Sequence, residues 1–131
     1  MYKKVVLLLL TGLFALCACA GVQGKPQDVA AKTGERKVAM TASSFKFEPA
    51  ALRVQGTGSL VIEVKNVESM GHNITVKNPA GAVLKSVDLP GNSTAKVDLK
   101  LSEKGKYEFY CDKTMHTNMG MKGVIEVVDG K

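Results

Sequence analysis

Apolar and polar residues alternate along most of the chain from Lys37 onward. The pattern is strictest in segments 60–65, 95–101 and 106–112. In the first of these, Leu60, Ile62 and Val64 alternate with Val61, Glu63 and Lys65. Such alternation, with one polar face, predicts half-buried antiparallel strands.

Turn signals separate these predicted strands at short intervals. They are Gln55-Gly56-Thr57-Gly58, Asn78-Pro79-Ala80-Gly81, Pro90-Gly91-Asn92 and Lys104-Gly105. The spacing indicates about seven to eight short strands, as in a β-sandwich. No segment has a convincing helical period, so the fold class is all-β.

The N-terminus has the layout of a bacterial export signal, covering residues 1–18. Lys3 and Lys4 precede an apolar run that ends at Leu16, and small residues follow. The run is short for a membrane span. The sequence allows two cuts: a lipoprotein-type cut before Cys19, which would leave this residue acylated, and an ordinary cut after Ala20. We favour the lipoprotein cut.

Residues 19–36 predict a flexible tether, because Gly, Lys, Gln, Pro and Ala occur there without apolar periodicity. The folded domain would then cover 37–131. Both cuts imply an exported protein of the periplasm or cell envelope, anchored to a membrane if Cys19 carries lipid.

The chain has 131 residues and a formal charge of +6. Without Lys3 and Lys4, the chain has sixteen basic and twelve acidic residues, which gives a formal net charge of +4. The lysines are scattered singly along the alternating segments, whereas a nucleic-acid interface needs them clustered on one face. We therefore expect no nucleic-acid partner.

Cysteine and histidine are scarce, and their positions indicate a metal site. Both cuts leave Cys111 as the one cysteine thiol, predicted to point inwards from a strand. The only histidines are His72 and His116, and the second follows Cys111 in a C-x4-H spacing. Met119 and Met121 follow closely. One thiolate, two imidazoles and a thioether form the ligand set of a blue-copper site.

Two other kinds of site share some of these residue types. A structural zinc site normally closes with a fourth strong ligand, and the nearby Asp112 alternates to the face opposite Cys111. A Cys-His hydrolase would need a residue that orients the base, together with a Gly-rich oxyanion loop, and neither is evident. Copper is the better interpretation.

Several segments resemble the cupredoxins, which are small blue-copper proteins such as azurin, plastocyanin and auracyanin. The similarity extends from about Lys37 to Val128. It is carried by SFKFEPAALRV, by LPGNSTAKVDL with GKYEFYC, and most specifically by MGHN (Met70 to Asn73) and MKG (Met121 to Gly123). The resemblance implies a Greek-key β-sandwich. The domain lacks the cysteines for azurin's disulfide, and the short segment 73–98 leaves no room for its helical flap.

The resemblance also implies roles for individual residues. His72, Cys111 and His116 would be equatorial ligands of one copper ion, with Met121 as the axial ligand and Met119 as the alternative. The Gly71 carbonyl would make at most a weak contact with the metal. Asn73 would tie the first-histidine loop to the cysteine strand by hydrogen bonds outside the ligand sphere.

Two functions follow from this ligand set. The first is single-electron transfer between redox partners, in which the copper alternates between Cu(I) and Cu(II). It implies a monomer that docks transiently to proteins of the cytochrome or oxidase/reductase type, and no enzymatic activity of its own. The alternative is copper binding and trafficking through a Met-rich Cu(I) site, which Met70, Met115 and Met119 favour.

Overall fold

The computed structural model describes residues 24–30, 35–113 and 119–130. Within these ranges the chain forms ten strands. They are β1 (Gln27–Val29), β2 (Arg36–Ser43), β3 (Lys46–Glu48), β4 (Ala51–Gln55), β5 (Gly58–Asn66), β6 (His72–Lys77), β7 (Val83–Leu89), β8 (Thr94–Leu101), β9 (Gly105–Tyr110) and β10 (Lys122–Val128). These ranges contain no helix, hence none that is long and apolar enough to cross a membrane.

The strands form two sheets, which confirms the predicted all-β fold. The larger sheet has the order β1-β4-β10-β9-β6-β7, and the smaller has the order β3-β2-β5-β8. Two of the ten strands, β1 and β3, have only three residues each, which explains why turn spacing alone predicted fewer.

Some pairings differ from the antiparallel prediction. β2 pairs with β5 in parallel, and β4 pairs in parallel with both β1 and β10. Alternation reports which face of a strand is buried, whereas the direction of its neighbour depends on the path of the chain between sheets.

The tether prediction does not hold for Gln27–Val29. This segment forms β1 and pairs with β4 from Leu52 to Val54. Val29 is buried at the edge of the core. A strand of three residues with one buried apolar side chain shows no apolar periodicity. Only its pairing with β4 therefore identifies it.

The core lies between the sheets and is filled by the alternating residues of the sequence pattern. Leu60, Ile62 and Val64 are all fully buried. The largest side chains lie on β3 and β9, where the rings of Phe47 and Phe109 meet edge to face at 5.5 Å between centroids. Edge-to-face packing favours a single arrangement of the two rings.

Close packing beside β9 explains the glycine of the MKG motif. A Cβ at Gly123 would collide with the ring of Phe109 and with the carbonyl oxygen of Ala50. Gly123 therefore allows β10 to lie flat against the aromatic ring, and this positions the start of β10 next to the end of β9.

Candidate metal centre

Cys111 and Met121 face each other where β9 ends and β10 begins. The β9–β10 ladder pairs Tyr110 with Lys122, and the next step of the same register pairs Cys111 with Met121. The Cys111 N–H donates to the Met121 carbonyl at 3.0 Å. Directly opposed residues of an antiparallel pair project to the same face. Both side chains are fully buried, so the thiol and the thioether lie together on the core side.

His72 is the first residue of β6, the strand next to β9. It alternates with Ile74 and Val76, both fully buried in the core, and is itself 1% exposed. Continuing the β6–β9 register beyond Thr75 and Tyr110 brings Asn73 opposite Asp112. His72 thus lies at the same end of the sandwich as Cys111 and on its core side.

A polar network on the outer side of β6 joins these two strand ends. The Asp112 N–H donates to Asn73 Oδ1 at 2.9 Å, and Asn73 Nδ2 donates to Asp112 Oδ1 at 2.6 Å. Thr75 Oγ1 donates to the other Asp112 oxygen at 3.2 Å and contacts Ser86 Oγ at 2.8 Å. The expected hydrogen bond from Asn73 to the cysteine strand is therefore present. It fixes the residues adjacent to His72 and Cys111 with respect to each other.

The imidazole of His72 contacts a carboxylate. Its Nε2 lies 3.2 Å from Glu68 Oε2, and the other carboxylate oxygen accepts the Ser44 hydroxyl at 2.9 Å. Hydrogen bonds lower the pKa of Glu68: the largest effect comes from the Ser44 backbone N–H, and the next from the His72 ring. An ionised carboxylate can only accept a hydrogen bond, so the proton of this contact is on His72 Nε2.

The loop that precedes His72 is held by Asn66 at the end of β5. Asn66 is fully buried, and its Nδ2 lies within hydrogen-bonding distance of the carbonyls of Met70, Leu89 and Pro90. Its Oδ1 accepts the Glu68 N–H at 3.1 Å. One amide thus connects this loop to the turn after β7.

The Pro90-Gly91-Asn92 turn packs directly on the same loop. A Cβ at Gly91 would collide with the Ser69 backbone, and the Asn92 N–H donates to the Glu68 carbonyl at 2.7 Å. The segment predicted only as a turn between strands therefore also supports the loop that precedes His72.

The remaining predicted site residues differ in burial. Met119 is 55% exposed and Met70 is 49% exposed, whereas Met121 is fully buried. Gly71 is exposed next to His72. His116 and Met115 lie outside the described residues, in 114–118.

Sequence reasoning missed Glu68, Ser44 and Asn66. Glu68 precedes His72 by four residues, a spacing that brings side chains together on a helix but has no such meaning in a loop. Ser44 is distant in sequence. Asn66, at the end of an alternating strand, is an ordinary turn residue until its three carbonyl neighbours are known.

The donor set of the described residues fits a soft or borderline metal ion. Imidazole, thiol and thioether groups suit copper, whereas Mg²⁺ and Ca²⁺ require oxygen ligands. Within 24–30, 35–113 and 119–130, no three His, Cys, Asp or Glu side chains cluster as a metal site. The candidate set instead includes a methionine and draws on His116, beyond these ranges.

The family model of the cupredoxin-like domain matches residues 6–127. The chain belongs to this family. A comparison with curated protein sequences gives no significant match.

Solved structures share this cupredoxin fold at low sequence identity. Auracyanin from Roseiflexus castenholzii is 15% identical, with a TM-score of 0.63 over 70% of this chain and 96% of its own. Auracyanin A from Chloroflexus aurantiacus, a "blue" copper protein, is 20% identical, with a TM-score of 0.62 over 72% of this chain and 100% of its own.

A further similar structure comes from a copper exporter. The metal-binding domain of the Cu(I)-exporting ATPase CopA from Streptococcus pneumoniae D39, solved with Cu(I), is 16% identical. Its TM-score is 0.63, over 80% of this cupredoxin and 97% of that domain. At such identities these likenesses show the fold alone.

Proposed function

We propose that this cupredoxin holds one copper ion and carries single electrons between redox proteins. The observation that carries the proposal is the burial of His72, Cys111 and Met121 together at one end of the sandwich. His116 would complete the ligand set. Bound copper would supply a one-electron couple between Cu(I) and Cu(II).

The residues of the chain would perform separate tasks in this function. A backbone hydrogen bond holds Cys111 opposite Met121, so the thiol and the thioether stay on the same face, next to each other. The Asn73–Asp112 pair fixes β6 against the end of β9. A framework that is rigid before metal binding reduces the rearrangement that would accompany each change of charge.

The ligand assignment of Met121 rests on its burial and on its position opposite Cys111. Met119 is more than half exposed, so it is better placed to contribute to the outer surface. The Gly71 carbonyl remains a proposed weak contact, since Gly71 directly precedes His72.

The visible spectrum of the copper-loaded, oxidised protein tests the proposal. We expect an intense thiolate-to-copper band and reversible voltammetry, and we expect Cys111→Ser to abolish the band because serine provides no soft thiolate. Glu63→Ala is a suitable control, since Glu63 lies on the outer face of the smaller sheet and contacts Lys96 at 3.7 Å. A colourless protein that holds only Cu(I) and exchanges it readily would contradict electron transfer.

Copper trafficking is the second candidate function. The exposed thioethers of Met70 and Met119 favour it, because thioethers are soft ligands for Cu(I) at a surface. Transfer of Cu(I) to a chelator at a rate that falls in Met70→Leu and Met119→Leu, with no visible band in the oxidised protein, would support this function over electron transfer.

We further propose that the protein acts outside the cytoplasm as a monomer without enzymatic activity of its own. Docking to cytochrome or oxidase/reductase partners would be transient. The leader, with Cys19 as the acylation site, supports an exported and lipid-anchored protein. Radioactive palmitate incorporation that is lost in Cys19→Ala tests the anchor.

A further inference from the structure

The contact between His72 and Glu68 continues to a strained turn on the other sheet. Ser44 and Phe45 connect β2 to β3 with φ angles of 35° and 60°. Both lie in the left-handed region, which glycine or asparagine normally occupies in a two-residue hairpin turn. Phe45 is bulky, so the turn must be held by its surroundings.

Packing explains how the turn keeps this conformation. Phe45 is partly buried against the core, next to the strand that carries Phe47. β3 pairs with β2 from Thr41 to Ser43, so the turn is closed by the ladder. The aromatic anchor and the ladder together orient the hydroxyl of Ser44 towards Glu68, at 2.9 Å.

Glu68 is fixed through its backbone as well as its side chain. Its N–H donates to Asn66 Oδ1, and its carbonyl accepts the Asn92 N–H. With one carboxylate oxygen on Ser44, the other is left in a defined position 3.2 Å from His72 Nε2. The side chain is 30% exposed, so water reaches the carboxylate while the imidazole is enclosed.

We propose that Glu68 is a positioning residue for His72, held in place by the Ser44–Phe45 turn. By accepting the Nε2 proton, it fixes the imidazole in the tautomer whose lone pair is on Nδ1. A histidine that binds a metal usually donates its other ring N–H to such a partner, which sets both the tautomer and the ring orientation. The assignment of Nδ1 as the ligand atom rests on the proposed copper function; the tautomer itself does not.

The first experiment uses the metal-free protein labelled with ¹⁵N-histidine. Two-bond ¹H–¹⁵N correlations at neutral pH should show His72 protonated on Nε2 in the wild type. In Glu68→Ala the resonances should shift to a mixture of tautomers or broaden, while the control Glu63→Ala should leave them unchanged. An unchanged Nε2–H tautomer with unchanged line widths in a folded Glu68→Ala protein would overturn the proposal.

The second experiment measures Cu(I) affinity by competition with a chromophoric chelator. Removing a partner of this kind typically weakens metal binding by about 10- to 100-fold, and we expect Glu68→Ala to fall in that range. Glu68→Gln should lose less, because its amide oxygen can accept the same proton. Equal losses in both variants would show that hydrogen-bond acceptance is not the cause and would count against the proposal.

Ser44→Ala tests the link to the turn and is useful if Glu68→Ala does not fold. It removes one donor at an exposed turn, so we expect a smaller loss of affinity and a smaller shift of the His72 resonances in the same direction. No change in either quantity would contradict the role of the turn. A colourless wild-type protein with the expected tautomer shifts would overturn electron transfer alone, whereas a blue protein insensitive to Glu68→Ala would overturn only the positioning role.

Discussion

Burial separates the two candidate axial methionines at the residue scale. Met121 is fully buried opposite Cys111, whereas Met119 is 55% exposed two residues earlier. Gly120 lies between them with φ at 96°, a left-handed conformation that turns the chain sharply just before Met121. Neighbouring methionines therefore lie in different environments, one in the core and one at the surface.

Leucine substitutions should distinguish these environments. We expect Met121→Leu to retain the visible band and to raise the reduction potential, because removing a thioether donor disfavours Cu(II). Its unfolding free energy should fall by less than about 1.5 kcal/mol, since leucine has nearly the volume of methionine. Voltammetry and denaturant titration measure the two quantities.

Met119→Leu is the matched comparison. An exposed side chain should change neither the potential nor the stability appreciably, the latter staying within about 0.5 kcal/mol. If the potential shifts in Met119→Leu and not in Met121→Leu, the axial assignment is wrong.

At the scale of elements, the hairpin of β9 and β10 organises the candidate centre. Its ladder runs from Gly105 and Val127 to Tyr110 and Lys122, and continues to Cys111 and Met121. The separation of thiol and thioether therefore depends on strand register. Gly123 allows this register, because the ring of Phe109 occupies the space where a side chain would lie.

We expect Gly123→Ala to destabilise the protein. The added methyl group would overlap the Phe109 ring and the Ala50 carbonyl, and overpacking of a core typically costs about 1–3 kcal/mol. Denaturant unfolding of the metal-free protein measures the loss, and copper affinity should fall with it because β10 must move. Gly130→Ala is the control: its Cβ would make only ordinary contacts, 3.6 Å from Gly56. Equal stability of the two variants would contradict this account of the register.

At the scale of the molecule, the centre joins both sheets. His72, Cys111 and Met121 lie in or directly beside strands of the larger sheet. In the smaller sheet, Ser44 lies in the turn between β2 and β3, and Asn66 is the last residue of β5. Unfolding would separate all of these groups, so a metal that requires them together binds only the native state.

Copper should therefore stabilise the fold by mass action. At a free Cu(I) concentration of 100 times Kd, the expected gain in unfolding free energy is about 2.7 kcal/mol. Calorimetry under reducing conditions, with and without copper, measures it, and a chelator should reverse it. Cys111→Ser should lose most of the gain, and an equal gain in this variant would show that the metal binds elsewhere.

Much of the fold and of the candidate centre could be predicted from the sequence, because burial and ligand type are indicated by local patterns. Alternation in 60–65 and 106–112 predicted which residues face the core, since each strand has a core face and an outer face whatever its neighbours are. The rarity of cysteine and histidine singled out Cys111 and His72. The MGHN and MKG motifs indicated the cupredoxin family, which the family model confirms.

Contacts between segments that are distant in sequence could not be predicted. Val29 gave no periodic signal, so β1 was assigned to the tether. The parallel pairing of β2 with β5 depends on the route of the chain between the sheets.

By itself, then, the sequence determined the fold class, the buried faces and the chemical types at the candidate centre. The tertiary structure alone decided which polar groups hold those types in place: Glu68 and Ser44 around His72, and Asp112 against Asn73. The physical reason is that burial follows from local periodicity, whereas a hydrogen bond requires two atoms at a set distance and angle. Segments as far apart as 44, 68 and 112 meet those conditions only after both sheets have packed.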